Sequence, residues 1–235
     1  MKKKEIGILG LGSMGTAIAK HLKKKYKIYG YDIKKFNTLK SSKNFFFTKN
    51  LKEIFLKTNI FIVIVLDEDQ CQTIFDSFID IKKRLKIKKN YTIINCTTVS
   101  PNWVKKTYKK LQKNNFEYID CPVSGGPKKA VNGKLSLMIS SKENIYKKNL
   151  NLLKYMGNNI YNLGNKVGTG STVKIINNSL AGIQIISAAE AIILAKKEKI
   201  NLKKIFKIIN NSSGQSWMFN DRGKRMIDKK YFKHL

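Results

Sequence analysis

The sequence predicts an α/β domain followed by an all-helical domain, and three observations predict it. Short apolar runs alternate with lysine-rich amphipathic stretches over residues 5–164, the pattern of βαβ units around a mostly parallel sheet. A glycine-rich turn joins the first apolar run to the first amphipathic stretch. Beyond Val167 the strand pattern stops, and apolar residues recur at spacings of three and four. The expected boundaries are a nucleotide-binding domain over 1–164 and a helical domain over 165–235.

The first strand is expected over Glu5–Gly10, a helix over Ser13–Lys25 and a second strand over Lys27–Tyr31. Further strands are expected at Phe45–Thr48, Ile60–Leu66, Thr92–Asn95, Glu117–Cys121, Leu135–Ile139 and Asn159–Asn162. The helical part opens with Val173, Ile176, Leu180, Ile183, Ile186, Ala189 and Ile193 on one helix. Leu202–Asn210 and the segment beyond Ser216 continue in helix.

Composition bounds the function classes. Net charge is +32, yet 44 of the 47 basic residues are lysine, with Arg84, Arg222 and Arg225 the exceptions. Readers of DNA grooves lean on arginine for bidentate base contacts. The lysines are spread along the chain, beside abundant Asn, Ile, Phe and Tyr that share A/T-rich codons. No specific nucleic-acid partner is therefore expected, and a polyanion-binding module is the rival reading, favoured at low salt. Cys71, Cys96 and Cys121 form no CxxC pair, and the two histidines are His21 and His234, so neither a disulfide framework nor a metal site is expected. The longest apolar run, Ile60–Leu66, is strand-sized, so no membrane span is expected. The first strand starts close to Met1, which leaves no room for a leader peptide, and the expected location is cytoplasmic.

Three motifs carry chemistry. Gly10-Leu11-Gly12-Ser13-Met14-Gly15 follows a strand and opens a helix, the context of a dinucleotide fingerprint and hence of a Rossmann domain. Asp32 stands 20 positions after Gly12, where a carboxylate receives the adenosine ribose. Its charge opposes a 2′-phosphate, which favours NAD over NADP, although Lys34 and Lys35 blunt the preference. The second motif, Asp120-Cys121-Pro122-Val123-Ser124-Gly125-Gly126-Pro127, ends a strand. Its paired glycines leave N–H groups unshielded, and Ser124 adds a hydroxyl; the arrangement suits a carboxylate or is an ordinary turn. The third is Gly168-Thr169-Gly170-Ser171-Thr172-Val173-Lys174-Ile175-Ile176-Asn177-Asn178. Lys174 and Asn178 lie one helical turn apart with apolar flanks, so both are expected to look towards something buried. A lysine so placed is a proton-transfer candidate or a snorkelling side chain.

Together and in this order, these motifs resemble the 3-hydroxyisobutyrate dehydrogenase (β-hydroxyacid dehydrogenase) family, from Met1 to about Phe232. The resemblance implies NAD-linked oxidation of a small hydroxy acid. It implies that Ser124, Gly125 and Gly126 hold the substrate carboxylate, with Lys174 as general acid/base and Asn178 orienting it or the substrate. It further implies that Thr97 and Thr98 lie by the nicotinamide side, that Leu66 is another cofactor contact, and that the protein is a homo-oligomer. Ser124-Gly125-Gly126-Pro127-Lys128-Lys129-Ala130 and Gly214-Gln215-Ser216-Trp217-Met218-Phe219-Asn220-Asp221-Arg222 resemble the L-threonate dehydrogenase branch. A 6-phosphogluconate dehydrogenase-like enzyme would need a basic phosphate clamp, and the motif loops carry no clear one. The family's helical domain continues past the point where Tyr231-Phe232-Lys233-His234-Leu235 ends this sequence, so an incomplete helical domain is expected. The rival reading it raises is a catalytically weak or inactive NAD-binding remnant.

Overall fold

A computed structural model describes residues 3–34 and 41–229. Met1, Lys35 and the Tyr231–Leu235 ending, which some of the sequence expectations involve, lie outside the described residues. The chain divides into two compact units, Met1–Lys174 and Ile175–Leu235.

The first unit is built on a six-stranded parallel sheet. Its strands are β1 (Glu5–Leu9), β2 (Lys27–Tyr31), β3 (Phe45–Thr48), β4 (Ile60–Val63), β5 (Tyr91–Asn95) and β6 (Phe116–Asp120). They lie in the order β3-β2-β1-β4-β5-β6. The order reverses between β1 and β4, and ligands of such sheets bind outside the carboxyl ends of the strands at this point. The helices are α1 (Ser13–Leu22), α2 (Leu51–Lys57), α3 (Glu68–Arg84) and α4 (Pro101–Lys113).

Strand alternation sorts the side chains into two cores. Ile6, Ile8, Ile60, Ile62, Ile94 and Ile119 face Ile18 and Leu22 of α1. Leu9, Phe61, Val63, Ile93 and Tyr118 face the α2–α4 side. That second core is aromatic, with Phe55 on Tyr91 at 4.2 Å and Phe61 on Phe78 at 4.4 Å between ring centroids. Each of α2, α3 and α4 starts on a side chain that caps its first turn: Asn50, Asp67 and Ser100.

Two of the expected strands belong to a second, smaller sheet. It joins β7 (Val123–Ser124), β8 (Leu135–Ile139) and β9 (Gly157–Asn162) in the order β7-β8-β9, with β7 antiparallel to β8. An antiparallel bridge between Asp120 and Ser140 links it to the end of β6. Helices α5 (Gly126–Ala130) and α6 (Glu143–Met156) complete the unit, and α6 buries Leu152, Leu153 and Met156.

Helix α7 (Thr169–Lys197) runs from the first unit into the second. The division falls at Lys174, beyond the last strand, because Gly168, Gly170 and Ser171 are hydrogen-bonded to Asp120 or Ser140 of the first unit. The second unit also holds α8 (Leu202–Asn210), a π-helical turn Phe219–Gly223 and α9 (Lys224–Ile227). Its small core is Ala188, Ile192 and Phe219, with Phe206 stacked on Phe219 at 5.6 Å.

The apolar residues whose spacing marks α7 in the sequence are largely exposed, Ile176, Leu180, Ile183, Ile186 and Ile193 among them, whereas Ala188, Ile192 and Ala195 are buried. α7 is apolar on more than one face, so spacing alone did not select the face that packs. The same helix has a stretch of mean hydropathy 1.5 and, by length and composition alone, could cross a membrane. Isolated polar residues such as Asn178 and Gln184 break the continuous run without lowering that average much. Core helices of soluble proteins share this composition.

Candidate functional site

The carboxyl ends of β1, β2, β4, β5 and β6 point the same way, since all five strands are parallel. Four of the five are followed by sequence-predicted site residues: Gly10–Gly15 after β1, Asp32 after β2, Leu66 after β4, and Thr97 with Thr98 after β5. β6 leads into the Ser124-Gly125-Gly126 segment through β7.

The glycine loop shows why each glycine is there. Gly10 has φ +92°, and a Cβ on it would lie 2.2 Å from the Ile64 carbonyl oxygen. A Cβ on Gly15 would lie 1.8 Å from the Gly10 carbonyl oxygen, so loop and helix meet backbone to backbone. A Cβ on Gly12 would meet nothing within 4 Å. Gly12 caps α1 without a side-chain hydrogen bond. No cap side chain takes up the first-turn N–H groups, and free N–H groups at a helix N-terminus are what an anionic group needs. Leu11 is buried against the core, Ser13 is exposed and Met14 is partly buried.

Asp32 closes the loop from the neighbouring strand. Its Oδ2 accepts from the Leu11 N–H at 2.7 Å and its Oδ1 from the Lys34 N–H at 2.9 Å. Each carboxylate oxygen retains a lone pair. The open cradle over Gly12 and this oriented carboxylate fit a dinucleotide.

The β4 and β5 loops are tied together. The Thr97 hydroxyl accepts from the Val65 N–H at 3.0 Å, Gln70 holds the Leu66 N–H at 3.2 Å, and Glu68 holds the Ser100 N–H at 2.7 Å. Thr97 is buried with its hydroxyl committed to this tie, while Thr98 is exposed. Leu66 is 80% exposed, an apolar side chain standing at the lip of the sheet.

In the second motif, Gly125 and Gly126 have φ of +129° and +70°. That left-handed backbone favours glycine; Gly126 is open on the side where a Cβ would stand, whereas the Lys129 side chain lies against Gly125. Ser124 is partly buried and pairs with Ser136 across β7 and β8.

The third motif anchors at the end of β6. Asp120, fully buried, accepts from the N–H groups of Gly168 at 3.1 Å and Ser171 at 3.0 Å. It also accepts from the hydroxyls of Ser171 at 2.7 Å and Ser140 at 3.0 Å. Burial nevertheless pushes its carboxyl above the ordinary value. Lys174, one turn on, is partly buried, and desolvation lowers the pKa of its amine. Asn178 belongs to the second unit and is exposed. The expectation that both residues face a buried environment is thus met by Lys174 only in part and not by Asn178. Sequence reasoning singled out neither Asp120 nor Ser171; the signal was available, since both stand inside the quoted motifs.

Residues 5–164 match the family described as the NAD binding domain of 6-phosphogluconate dehydrogenase. Residues 168–234 match that described as NAD-binding of NADP-dependent 3-hydroxyisobutyrate dehydrogenase. L-threonate dehydrogenase of Escherichia coli strain K12 is 29% identical over 97% of this chain and 76% of its own length. The mitochondrial 3-hydroxyisobutyrate dehydrogenase of Mus musculus is 32% identical over 92% of this chain and 64% of its own length. The crystal structure of a 3-hydroxyisobutyrate dehydrogenase from Salmonella typhimurium superposes with a TM-score of 0.84 at 29% identity. That match covers 97% of this chain and 80% of the other. The chain therefore belongs to the 3-hydroxyisobutyrate dehydrogenase family and is a nicotinamide-dependent oxidoreductase.

Proposed function

We propose that the protein oxidises a small hydroxy acid, of the L-threonate or 3-hydroxyisobutyrate type, with NAD as acceptor. The observation that carries the reading is that the glycine loop, Asp32, the Thr97–Thr98 loop and the Asp120-anchored start of α7 all stand at the carboxyl ends of the strands of one sheet. Gly10, Gly12, Gly15 and the first-turn N–H groups of Ser13 and Met14 hold the pyrophosphate, beside Leu11. Asp32 holds the ribose. Leu66, Thr97 and Thr98 border the nicotinamide side. When bound, the cofactor supplies the hydride acceptor. Ser124, Gly125 and Gly126 hold the substrate carboxylate through a hydroxyl and unshielded N–H groups. Lys174 takes the hydroxyl proton at Nζ as the carbinol carbon loses its hydride, and Asn178 orients the amine or the substrate. Partial burial aids Lys174 by raising the fraction of neutral amine near pH 7.

The substrate class rests on the chain's likeness to L-threonate and 3-hydroxyisobutyrate dehydrogenases and on the Ser124–Ala130 and Gly214–Arg222 stretches. A screen of small hydroxy acids for NADH formation tests it. Oxidation of four-carbon polyhydroxy acids or 3-hydroxyisobutyrate is the expected result, and activity confined to substrates lacking a carboxylate would overturn it.

The cofactor preference gives a first prediction. NAD should bind more tightly than NADP, because the Asp32 carboxylate accepts from ribose hydroxyls and repels a 2′-phosphate. Asp32→Ala should weaken NAD binding about 10-fold or more, as for loss of a charge-assisted hydrogen bond, and should narrow the preference. Titration of both cofactors checks this; equal or tighter NADP binding by the unmodified chain contradicts it.

A second prediction concerns assembly. The exposed stripe Ile176, Leu180, Ile183 and Ile186 on α7 supports a homo-oligomer in which a second copy covers it. Sedimentation should show a dimer or larger species, and Ile183→Asp with Ile186→Asp should shift it towards monomer. A monomeric unmodified chain at micromolar concentration would contradict the proposal.

A further inference from the structure

Asp120 has no part in the proposed binding of cofactor or substrate. It is fully buried, and no lysine or arginine pairs with it among the described residues. A buried carboxylate without a cation is costly and is tolerated only when hydrogen bonds compensate it. Four donors converge on it here: the N–H groups of Gly168 and Ser171, and the hydroxyls of Ser171 and Ser140. Three of these four bonds come from the loop and first turn that begin α7. A negative group at that end also meets the positive end of the helix dipole.

The surrounding residues serve the same contact. Gly168 reaches Asp120 with φ +100°, a conformation that suits glycine. A Cβ on Gly170 would lie 2.4 Å from the Met138 carbonyl oxygen and 3.1 Å from Asp120 Oδ2. The glycine permits the helix start to approach that closely, and its N–H donates to Ser140 Oγ at 3.1 Å. The Gly168-Thr169-Gly170-Ser171 sequence is thus a socket for one carboxylate. Ser171, held through both its N–H and its hydroxyl, lies three residues before Lys174 and on the same side of the helix. Fixing Ser171 at two atoms fixes both the axial position and the rotation of the turn that carries Lys174.

We propose that Asp120 is a positioning residue for proton transfer: its carboxylate, clamped on the first turn of α7, sets where the Lys174 amine stands. The proposal rests on the reading of Lys174 as acid/base. An error of about 1 Å in a reacting group costs on the order of 10²-fold in rate, so a socket that holds one turn rigidly has a catalytic value beyond its contribution to folding. An asparagine of the same shape can still accept from the two N–H groups, and the Ser171 hydroxyl can turn to accept from its amide. It should preserve most of the placement.

The test compares Asp120→Ala, Asp120→Asn, Ser171→Ala and Lys174→Ala in the full chain. The readouts are kcat, KM, cofactor Kd and the rate at which a small acylating reagent modifies Lys174 relative to the other lysines. Asp120→Ala should lower kcat on the order of 10²-fold while cofactor Kd stays within about 2-fold. Asp120→Asn should recover to within about 10-fold of the unmodified rate, and Ser171→Ala should fall between. Acylation of Lys174 should speed up in Asp120→Ala and stay near the unmodified rate in Asp120→Asn. Unchanged kcat and unchanged acylation in Asp120→Ala would overturn the proposal. So would equal losses of kcat and cofactor affinity in both the Ala and Asn variants, which a purely structural role would produce. If Asp120→Ala does not fold, Ser171→Ala decides, and unmodified turnover in it would overturn the proposal. If Lys174→Ala keeps full turnover, the acid/base reading falls. If Lys174→Ala is inactive while the Asp120 and Ser171 variants are fully active, only the clamp falls. Should no substrate be turned over, the acylation rates decide.

Discussion

Lys174→Ala should lower kcat by about 10²–10⁴-fold and leave cofactor affinity nearly unchanged, the result expected when a positioned acid/base is lost. The glycine loop and Asp32 are separate from Lys174 in the chain, so removing its amine should not disturb them. Desolvation lowers the Lys174 pKa, and no charged group is among the causes. The working base in oxidation is the neutral amine. The rate should therefore rise with pH through the Lys174 titration, and level off at a pKa below the ordinary lysine value of 10.5. Lys174→Arg keeps the positive charge but remains protonated at every accessible pH. It should be as inactive as alanine, and raising the pH should not restore it. Steady-state kinetics over pH, with cofactor titration beside them, check all three statements. A loss of cofactor affinity with turnover spared would assign Lys174 to the cofactor instead.

Gly15→Ala should damage folding and cofactor binding together, whereas Gly12→Ala should damage binding alone. The Cβ on Gly15 would sit 1.8 Å from the Gly10 carbonyl oxygen, and no rotamer change relieves a backbone clash. The loop and α1 must move apart, at a cost of at least about 1–3 kcal/mol by analogy with overpacked cores. That lowers Tm by several degrees in a chain of this size, roughly 2–4 °C per kcal/mol. The displaced loop should also weaken cofactor binding by about 10-fold or more. On Gly12 the same methyl meets no protein atom within 4 Å, so Tm should stay unchanged. It would instead occupy the space above the α1 N-terminus that the pyrophosphate needs, and affinity should fall. Thermal unfolding and cofactor titration on both variants separate the two effects. An unchanged affinity in Gly12→Ala would move the phosphates away from this loop.

Much of the first unit was legible because its signals are local. The apolar runs at Lys27–Tyr31, Phe45–Thr48 and Leu135–Ile139 became strands with those same ends. Most other strand ends moved by one to three residues, since side-chain pattern marks a strand's core better than its last hydrogen bond. The glycine roles could also be read, because a strand, a tight turn and a helix constrain the backbone in a known way. What was not legible depends on distant partners. Sequence spacing cannot tell that β8 and β9 leave the main sheet to pair with β7. Nor can it tell which face of α7 packs, since both Ile183 and Ile192 fit a helical period. Thr97 was read as a residue beside the nicotinamide; its hydroxyl proves to hold Val65 across a separation of 32 residues. Asp120 ended a recognised strand, but its four donors come from 20 to 51 positions away in the chain. Charge was equally silent: at net +32, one unpaired buried carboxylate leaves no trace in composition.

In the proposed reaction a hydride passes from the carbinol carbon of a hydroxy acid to NAD while Lys174 takes the hydroxyl proton. Its most direct test is incubation of the chain with NAD and L-threonate or 3-hydroxyisobutyrate deuterated at the carbinol carbon, followed by mass spectrometry of the cofactor. The unmodified chain should give deuterated NADH, and Lys174→Ala at least about 10²-fold less at equal cofactor occupancy. Deuterium transfer at the same rate in Lys174→Ala, or tight NAD binding with no deuterated NADH from any small hydroxy acid, would contradict it.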